Sequence, residues 1–209
     1  KSWDNDDFRT CVLNAIIWTA KMEVPQEGVK SSSNPTIQSK EKPEPITAKP
    51  VDPKNALFTS KLITTKTKGH AVEVKAKIKG IQNLYLTVSD GSNSYSCDWA
   101  DWGLPRLIDS SGKETRLTNL KWKYAKTGWG KVQINKNCGG GPLRINGKDI
   151  AYGIGTHANS VIHYELPKNH KFVEFRCLAG IENGGSDQQS GTQSSVQFFV
   201  SDKPIDMPK

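Results

Sequence analysis

Trp129 lies between two glycines in Gly128-Trp129-Gly130, and Trp99, Trp102 and Trp122 fall in the stretch just before it. Glycines on both sides supply little local packing, so this indole belongs to a loop that presents it, whereas Trp122 fits a core position. A flat aromatic face suits the apolar face of a sugar ring, and nearby Asn, Gln, Asp and Lys side chains can bond its hydroxyls. Lys131 follows two residues later. His157 sits in Gly153-Ile154-Gly155-Thr156-His157-Ala158-Asn159-Ser160, where glycines permit a tight turn into a strand. Its imidazole can bond a ligand hydroxyl or lock the turn by bonding backbone. A second polar loop, residues 180–189, carries Glu182, Asn183 and Asp187, which can add contacts to the same kind of ligand.

Oxygen donors are densest in Asp90-Gly91-Ser92-Asn93-Ser94-Tyr95-Ser96-Cys97-Asp98-Trp99-Ala100-Asp101-Trp102. Asp90, Asn93, Asp98 and Asp101, with loop carbonyls, are the hard ligands that calcium takes, typically about 6–8 of them. Several acids in a short loop repel one another unless a cation lies between them. The spacing is not that of an EF-hand, and a turn with exposed acids is the alternative. Cys11, Cys97, Cys138 and Cys177 show no CxxC spacing, which argues against zinc. Cys177 is in phase with Val173 and Phe175 and reads as a buried core thiol. Cys97 and Cys138 lie in polar loops, and whether they pair is open. Patterns for catalysis are sparse. There is no GxSxG, and no GxGxxG entering a helix. A glycosidase needs two facing carboxylates roughly 5–9.5 Å apart, yet Glu165 and Glu174 alternate with apolar neighbours as solvent-face residues do. The pattern leans towards a binder.

These residues must be positioned by strands. Period-two alternation runs through 72–78 and recurs at Leu84, Leu86 and Val88, at Ile162, Tyr164 and Leu166, at Val173, Phe175 and Cys177, and at Val196, Phe198 and Val200. Clusters of Gly, Asn, Asp and Ser separate the runs. Residues 55–209 therefore read as all-β, a jelly-roll β-sandwich with long polar loops. Residues 1–24 read as one amphipathic helix: Asp4, Asp6 and Asp7 load its first turn, Phe8, Val12, Ala15, Ile16 and Thr19 recur at helical spacing, and Pro25 stops it. Residues 25–54 hold six of the eleven prolines and read as an extended linker. The chain of 209 residues starts without Met and reads as a fragment or mature form. Its net charge of +8 invites a nucleic-acid reading. The lysines argue against it, because they line one face of strands such as Val72-Glu73-Val74-Lys75-Ala76-Lys77-Ile78-Lys79. No apolar run reaches the roughly 20 residues of a membrane-spanning helix.

Leu120-Lys121-Trp122, Gly128-Trp129-Gly130, Tyr152-Gly153-Ile154-Gly155-Thr156-His157-Ala158-Asn159-Ser160, Phe175 and Gly180-Ile181-Glu182-Asn183 together resemble the NPCBM family of carbohydrate-binding modules, also called carbohydrate-binding module family fifty-one. The resemblance implies a jelly-roll fold and galactose-type or blood-group-type glycan ligands. It also implies attachment to glycoside hydrolases, calcium in some members, and an extracellular or periplasmic setting. It makes Trp129, Lys131, His157, Asn159, Glu182, Asn183 and Asp187 the expected sugar contacts. The order of motifs differs from the family's. Leu84-Tyr85-Leu86-Thr87-Val88-Ser89-Asp90-Gly91 and Asp98-Trp99-Ala100-Asp101-Trp102 resemble the element that closes the family's domain, yet here they come first. A circular permutation is implied, with 57–108 supplying the C-terminal half and 117–202 the N-terminal half. It requires strands 71–79 and 84–88 to join the same sandwich as 161–200. Asp6-Asp7-Phe8-Arg9, Leu13-Asn14-Ala15-Ile16-Ile17-Trp18 and Glu23-Val24-Pro25 resemble the last helix of ThuA-like (trehalose-utilisation) domains, implying such a domain upstream. The alternatives are a protein-binding adhesion or scaffold jelly roll, which predicts an exposed apolar patch, and part of a glycoside hydrolase.

Overall fold

The computed structural model describes residues 49–188 and 193–206. The expected helix over 1–24 and residues 25–48 of the expected linker lie outside them. Val51 forms a bridge with Ile205, and its N–H donates to the Pro204 carbonyl at 2.8 Å. The folded module therefore begins a few residues before the expected boundary at 55.

Two antiparallel sheets carry the fold. The first orders β1 (Phe58–Thr59), β14 (Ser195–Ser201), β4 (Asn83–Ser89), β12 (Ser160–Glu165) and β7 (Tyr124–Lys126), with β2 (Ile63–Thr64) also paired to β14. The second orders β3 (Ala71–Lys77), β13 (Phe172–Ile181), β5 (Trp99–Asp109), β11 (Gly153–His157) and β8 (Gln133–Ile134), with β6 (Glu114–Arg116) paired to β5. A small ribbon pairs β9 (Arg144–Ile145) with β10 (Lys148–Asp149), and among the described residues a single short α-helix, α1, spans Asn183–Ser186. The chain changes sheet between β3 and β4, β4 and β5, β11 and β12, β12 and β13, and β13 and β14. This is the all-β sandwich with jelly-roll alternation that the sequence pattern predicts. Strands 71–79 and 84–88 join the same sandwich as 161–200: β3 pairs with β13, and β4 pairs with both β12 and β14.

Alternation sets the core. Leu84, Leu86 and Val88 from one sheet meet Ala100, Trp102, Phe175, Cys177 and Ala179 from the other, all buried. Cys177 is the core thiol expected. The Trp102 ring stands edge-on to Phe198 of the opposite sheet, with centroids 4.9 Å apart, and lies 6.3 Å from Phe175. On the edge strand β3, Val74 and Ala76 are buried while Glu73, Lys75 and Lys77 are exposed. Lysines on an edge strand also discourage pairing with another chain. Trp122 packs partly buried against the core, edge-on to Tyr164 at 6.5 Å.

Because Trp102 is fully buried and joins the two sheets, Trp102→Ala is expected to cost about 3–5 kcal/mol. Urea unfolding of the variant beside the parent protein measures it; a loss under about 1 kcal/mol would contradict this account of the core.

Candidate functional site

Strand parity decides which side chains reach the outer face of the second sheet. In β5, Ala100 and Trp102 face the core, so Trp99 and Asp101 face outward. In β11, Ile154 faces the core and His157 faces outward, directly across from Trp99 in the register. Trp99 and His157 thus share one end of one sheet face.

Loops complete the enclosure by close backbone contact. A Cβ on Gly128 would lie 2.2 Å from the Ala158 carbonyl oxygen, and one on Gly130 would lie 2.4 Å from that of Cys138. Gly130 also adopts φ +66°, in the left-handed region that favours glycine. Both glycines of Gly128-Trp129-Gly130 are therefore required by packing. Hydrogen bonds hold the turn: Gly128 N–H donates to the His157 carbonyl at 3.3 Å, Lys131 N–H to that of Cys138 at 3.0 Å, and His157 N–H to Thr127 Oγ1 at 2.9 Å. Trp129 remains 52% exposed, with its ring centroid 5.1 Å from that of Trp99 and 6.0 Å from that of His157. Tyr95, 61% exposed, stands edge-on to His157 at 6.3 Å.

The result is an open pocket of about 360 Å³ lined by Tyr95, Ser96, Cys97, Trp99, Trp129, His157 and Gln188. Its size is near the lower end for small-ligand sites. No Asp or Glu occurs among these lining residues. The His157 Nδ1 lies 2.5 Å from the Ala158 carbonyl oxygen. That nitrogen must carry the proton, which leaves Nε2 as an acceptor. Burial holds the imidazole below the ordinary histidine range, so the neutral form dominates near neutrality. The Cys97 thiol donates to Gln188 Oε1 at 3.6 Å, and no disulfide joins Cys97 to Cys138. A larger concavity, about 630 Å³, lies on the other sheet beside Leu62 and Phe199, away from these motifs.

Of the expected sugar contacts, the structure brings Trp129 and His157 into the pocket and leaves five outside its lining. Lys131 is exposed on the loop beyond Trp129. Asn159 is committed to Asp90, accepting its N–H at 2.9 Å and donating to its Oδ2 at 3.1 Å. Glu182 is only 1% exposed and accepts the Gly184 N–H at 2.6 Å. Asn183 accepts the Gly147 N–H at 2.8 Å and donates to Asp187 at 2.9 Å, and Asp187 pairs with Arg144 at 3.3 Å. These last residues fix loops rather than line the cavity. Tyr95, Ser96, Cys97, Trp99 and Gln188 are the lining residues that the expected sugar contacts leave out. For Trp99 the parity of β5 against the Ala100–Trp102 core pair is the signal.

The four expected cation ligands do not form one donor set. Asp90 is engaged with Asn159 and also accepts the Ser92 N–H at 3.0 Å, and Asn93 Oδ1 accepts the Ser195 hydroxyl at 3.0 Å. Asp98 turns towards the opposite sheet and accepts the Ser195 N–H at 2.8 Å. Burial pushes its carboxyl up to about 7, against the opposing pull of that bond. Asp101, three residues later, projects from the other face of the strand. Among the described residues, no three His, Cys, Asp or Glu side chains form a metal-binding group.

An all-β sandwich with a neutral aromatic pocket built from loops over one sheet face defines a ligand-binding module. The NPCBM/NEW2 domain family matches residues 50–108 and 113–204, and the chain belongs to that family, a family of carbohydrate-binding modules. A curated relative, alpha-1,3-galactosidase B of Akkermansia muciniphila, is 34% identical over 71 residues, which is 34% of this chain and 8% of that protein. The chain thus spans a small part of that relative's length. No solved structure matches the chain. No helix among the described residues is long and apolar enough to cross a membrane.

Gly130→Ala is expected to destabilise the module by more than about 1 kcal/mol, since it combines positive φ with a backbone clash. Gly147→Ala, with positive φ and open space around it, is expected to cost less. Urea unfolding of the two variants side by side tests the packing argument, and equal costs would contradict it.

Proposed function

We propose that this chain is a non-catalytic module that recognises galactose-type glycans through the Trp99–Trp129–His157 pocket. The observation that carries the reading is the convergence of two indoles and a neutral, proton-accepting imidazole in one open cavity. Trp129 offers its face to the apolar side of a sugar ring, Trp99 floors the cavity, and His157 Nε2 and Gln188 bond hydroxyls. The absence of Asp and Glu from the described lining supports binding over hydrolysis, which needs a placed carboxylate pair. The curated relative's name supports a galactose-type ligand. On the same reading the module brings an attached enzyme to its glycan, outside the cytoplasm.

The order of the sequence motifs supports a domain whose halves are exchanged, 57–108 providing the family's closing half and 117–202 its opening half. Domain termini that lie close together make such an exchange tolerable, and the pairing of Val51 with Ile205 brings the two ends of the module side by side. On this reading the region before the module comprises the end of a ThuA-like domain over 1–24 and a proline-rich tether from residue 25 to the start of the module just before Val51.

Isothermal titration calorimetry with methyl galactosides and galactose-terminated oligosaccharides is expected to give saturable heat, abolished by Trp129→Ala with folding intact by circular dichroism. No heat with any of them would overturn the proposal.

Affinity is also expected to vary with pH through His157. Its proton uptake lies below the ordinary histidine value, so binding should be flat around neutrality and weaken only as acid charges the ring and removes the Nε2 acceptor. His157→Gln should flatten that acid limb in the same titrations; an unchanged limb would remove His157 from the ligand contacts.

A further inference from the structure

A row of four cations crosses the outer face of the second sheet. Register places Lys75 of β3 opposite Arg176 of β13, Arg176 opposite Arg106 of β5, and Arg106 opposite Arg116 of β6. The adjacent residues Val74, Phe175 and Leu107 are buried in the core, so the row leaves the sheet on its outer side. Like charges directly opposite one another on a sheet are destabilising. Protection of a sheet edge accounts for Lys75 on β3, but Arg176 and Arg106 stand on strands paired on both sides.

A bulge puts Arg106 there. Ala100 and Trp102 face the core, and unbroken alternation would turn Arg106 inward with them. Instead the pairing of β13 with β5 shifts between Arg176 and Leu178: Leu178 faces Gly103, Arg176 faces Arg106, and Leu104 and Pro105 stand against Cys177 alone. Leu104 adopts φ +51°, uncommon for a leucine. The bulge inverts the phase of β5, gives Leu107 to the core and turns Arg106 outward. Re-aiming a side chain is a recurrent use of bulges, and a bulge also accommodates a proline within an inner strand. Beside it lies a concavity of about 340 Å³, whose lining includes Leu104, Leu178, Lys75, Arg106, Arg176 and Glu73.

Nearby carboxylates leave the row net positive. Arg176 donates to Glu174 from Nε at 2.8 Å and from Nη2 at 2.6 Å, and Lys75 lies 3.6 Å from Glu73. Arg106 Nε is buried 3.1 Å from Glu114 Oε1 yet makes no hydrogen bond, and its Nη1 reaches the Leu104 carbonyl at 3.4 Å. Arg116 lies over the Tyr152 ring, 4.2 Å from its centroid. Lys77, opposite Glu174, adds a further cation beside the row. A guanidinium carries five N–H donors, so these pairs do not exhaust Arg106 or Arg176. Partly exposed pairs of this kind contribute little and exchange readily for another anion.

We infer that this hollow is a second glycan site, taking a sugar that bears one anionic group, a sulfate ester or a carboxylate. Arg106 and Arg176 hold the anion from facing strands, since a planar guanidinium fork matches either oxyanion. Leu104 and Leu178 take the apolar side of the ring. The carboxylates interleaved with the cations repel a polyphosphate chain, and no aromatic side chain occurs among the described lining residues for a base to stack on, so nucleic acid fits poorly. The glycan assignment rests on the chain's membership of a carbohydrate-binding family and is independent of the Trp99–Trp129–His157 pocket. The two sites share the outer face of the second sheet, with Trp99 and Arg106 roughly 20 Å apart along β5.

The test is calorimetric titration of the 209-residue protein at low salt, with excess methyl galactoside present to occupy the aromatic pocket. The probes are oligosaccharides of kappa-carrageenan, which carry sulfate esters, of polygalacturonate, which carry carboxylates, and of neutral agarose. Saturable binding of at least one charged probe is expected, with none of the neutral one. Arg106→Gln and Arg176→Gln should each weaken it at least about tenfold, the factor for one hydrogen bond to a charged group. Lys148→Gln, which removes an equal charge from β10, should change it less than about twofold. Glu73→Gln removes a carboxylate from the rim and should tighten binding about twofold, a gain that no misfolded variant produces. Failure of both charged probes to bind, equal binding of the neutral probe, or arginine variants no weaker than Lys148→Gln would overturn the inference. So would tighter binding of polyglutamate or of a single-stranded oligonucleotide. The arginine and Glu73 variants lie outside the aromatic pocket, so they decide this inference whether or not galactosides bind there.

Discussion

How closely one backbone can approach another governs the loop end of this sandwich. Gly128 rests on the Ala158 carbonyl, Gly130 on the Cys138 carbonyl, and Gly155 under Lys136 and Asn137, each at a distance no Cβ would permit. These contacts stack the 128–130 and 136–138 stretches on one another and on the end of β11 without intervening side chains. The space saved goes to aromatic rings: Trp99, itself packed against Gly139, Gly184 and Gly185, and Trp129, which stands beside it. The glycines look like flexible punctuation in a linear sequence. In the fold they are the tightest part of the site.

The sheets supply the second ingredient, an alternation that assigns neighbouring residues to different environments. Asp98, Trp99, Ala100, Asp101 and Trp102 are consecutive, yet they serve different purposes. Asp98 bonds Ser195 of the opposite sheet, Ala100 and Trp102 join the core, Trp99 floors the pocket, and Asp101 is sealed beneath a loop. One strand thereby links the packing between the sheets to the pocket and to the buried Asp101 carboxylate. A shift of one residue in the pairing of β5 would invert all five positions at once, because side chains alternate with period two.

The alternating strands were legible in the sequence because burial of one face writes period two directly into residue type. This held for 72–78 and for the strands around Leu86, Phe175 and Phe198. The pairing of Trp129 with His157 was also legible, since glycine-bounded motifs mark loops that present side chains. Other assignments depended on partners distant in sequence. Asn159 faces Asp90, Asn183 faces Gly147, and Asp187 faces Arg144, so polar residues that look available for a ligand are already bonded. Glu182 shares a loop with exposed residues and is nevertheless buried, because it continues the outward phase of β13 beneath the 136–145 segment. The four expected cation ligands are spread apart for the same reason: three peptide bonds part Asp98 from Asp101 in sequence, but the two lie on opposite faces of the strand.

Trp99 and Trp129 line the pocket proposed to meet a sugar, while Trp102 and Trp122 belong to the core side of the fold. Indole N–H resonances in a nitrogen-15 correlation spectrum separate these roles in one titration. With a methyl galactoside, the Trp99 and Trp129 signals are expected to move in a saturable manner while those of Trp102 and Trp122 stay in place. Movement confined to Trp102 or Trp122, or no movement of any indole at saturating glycan, would contradict the central claim.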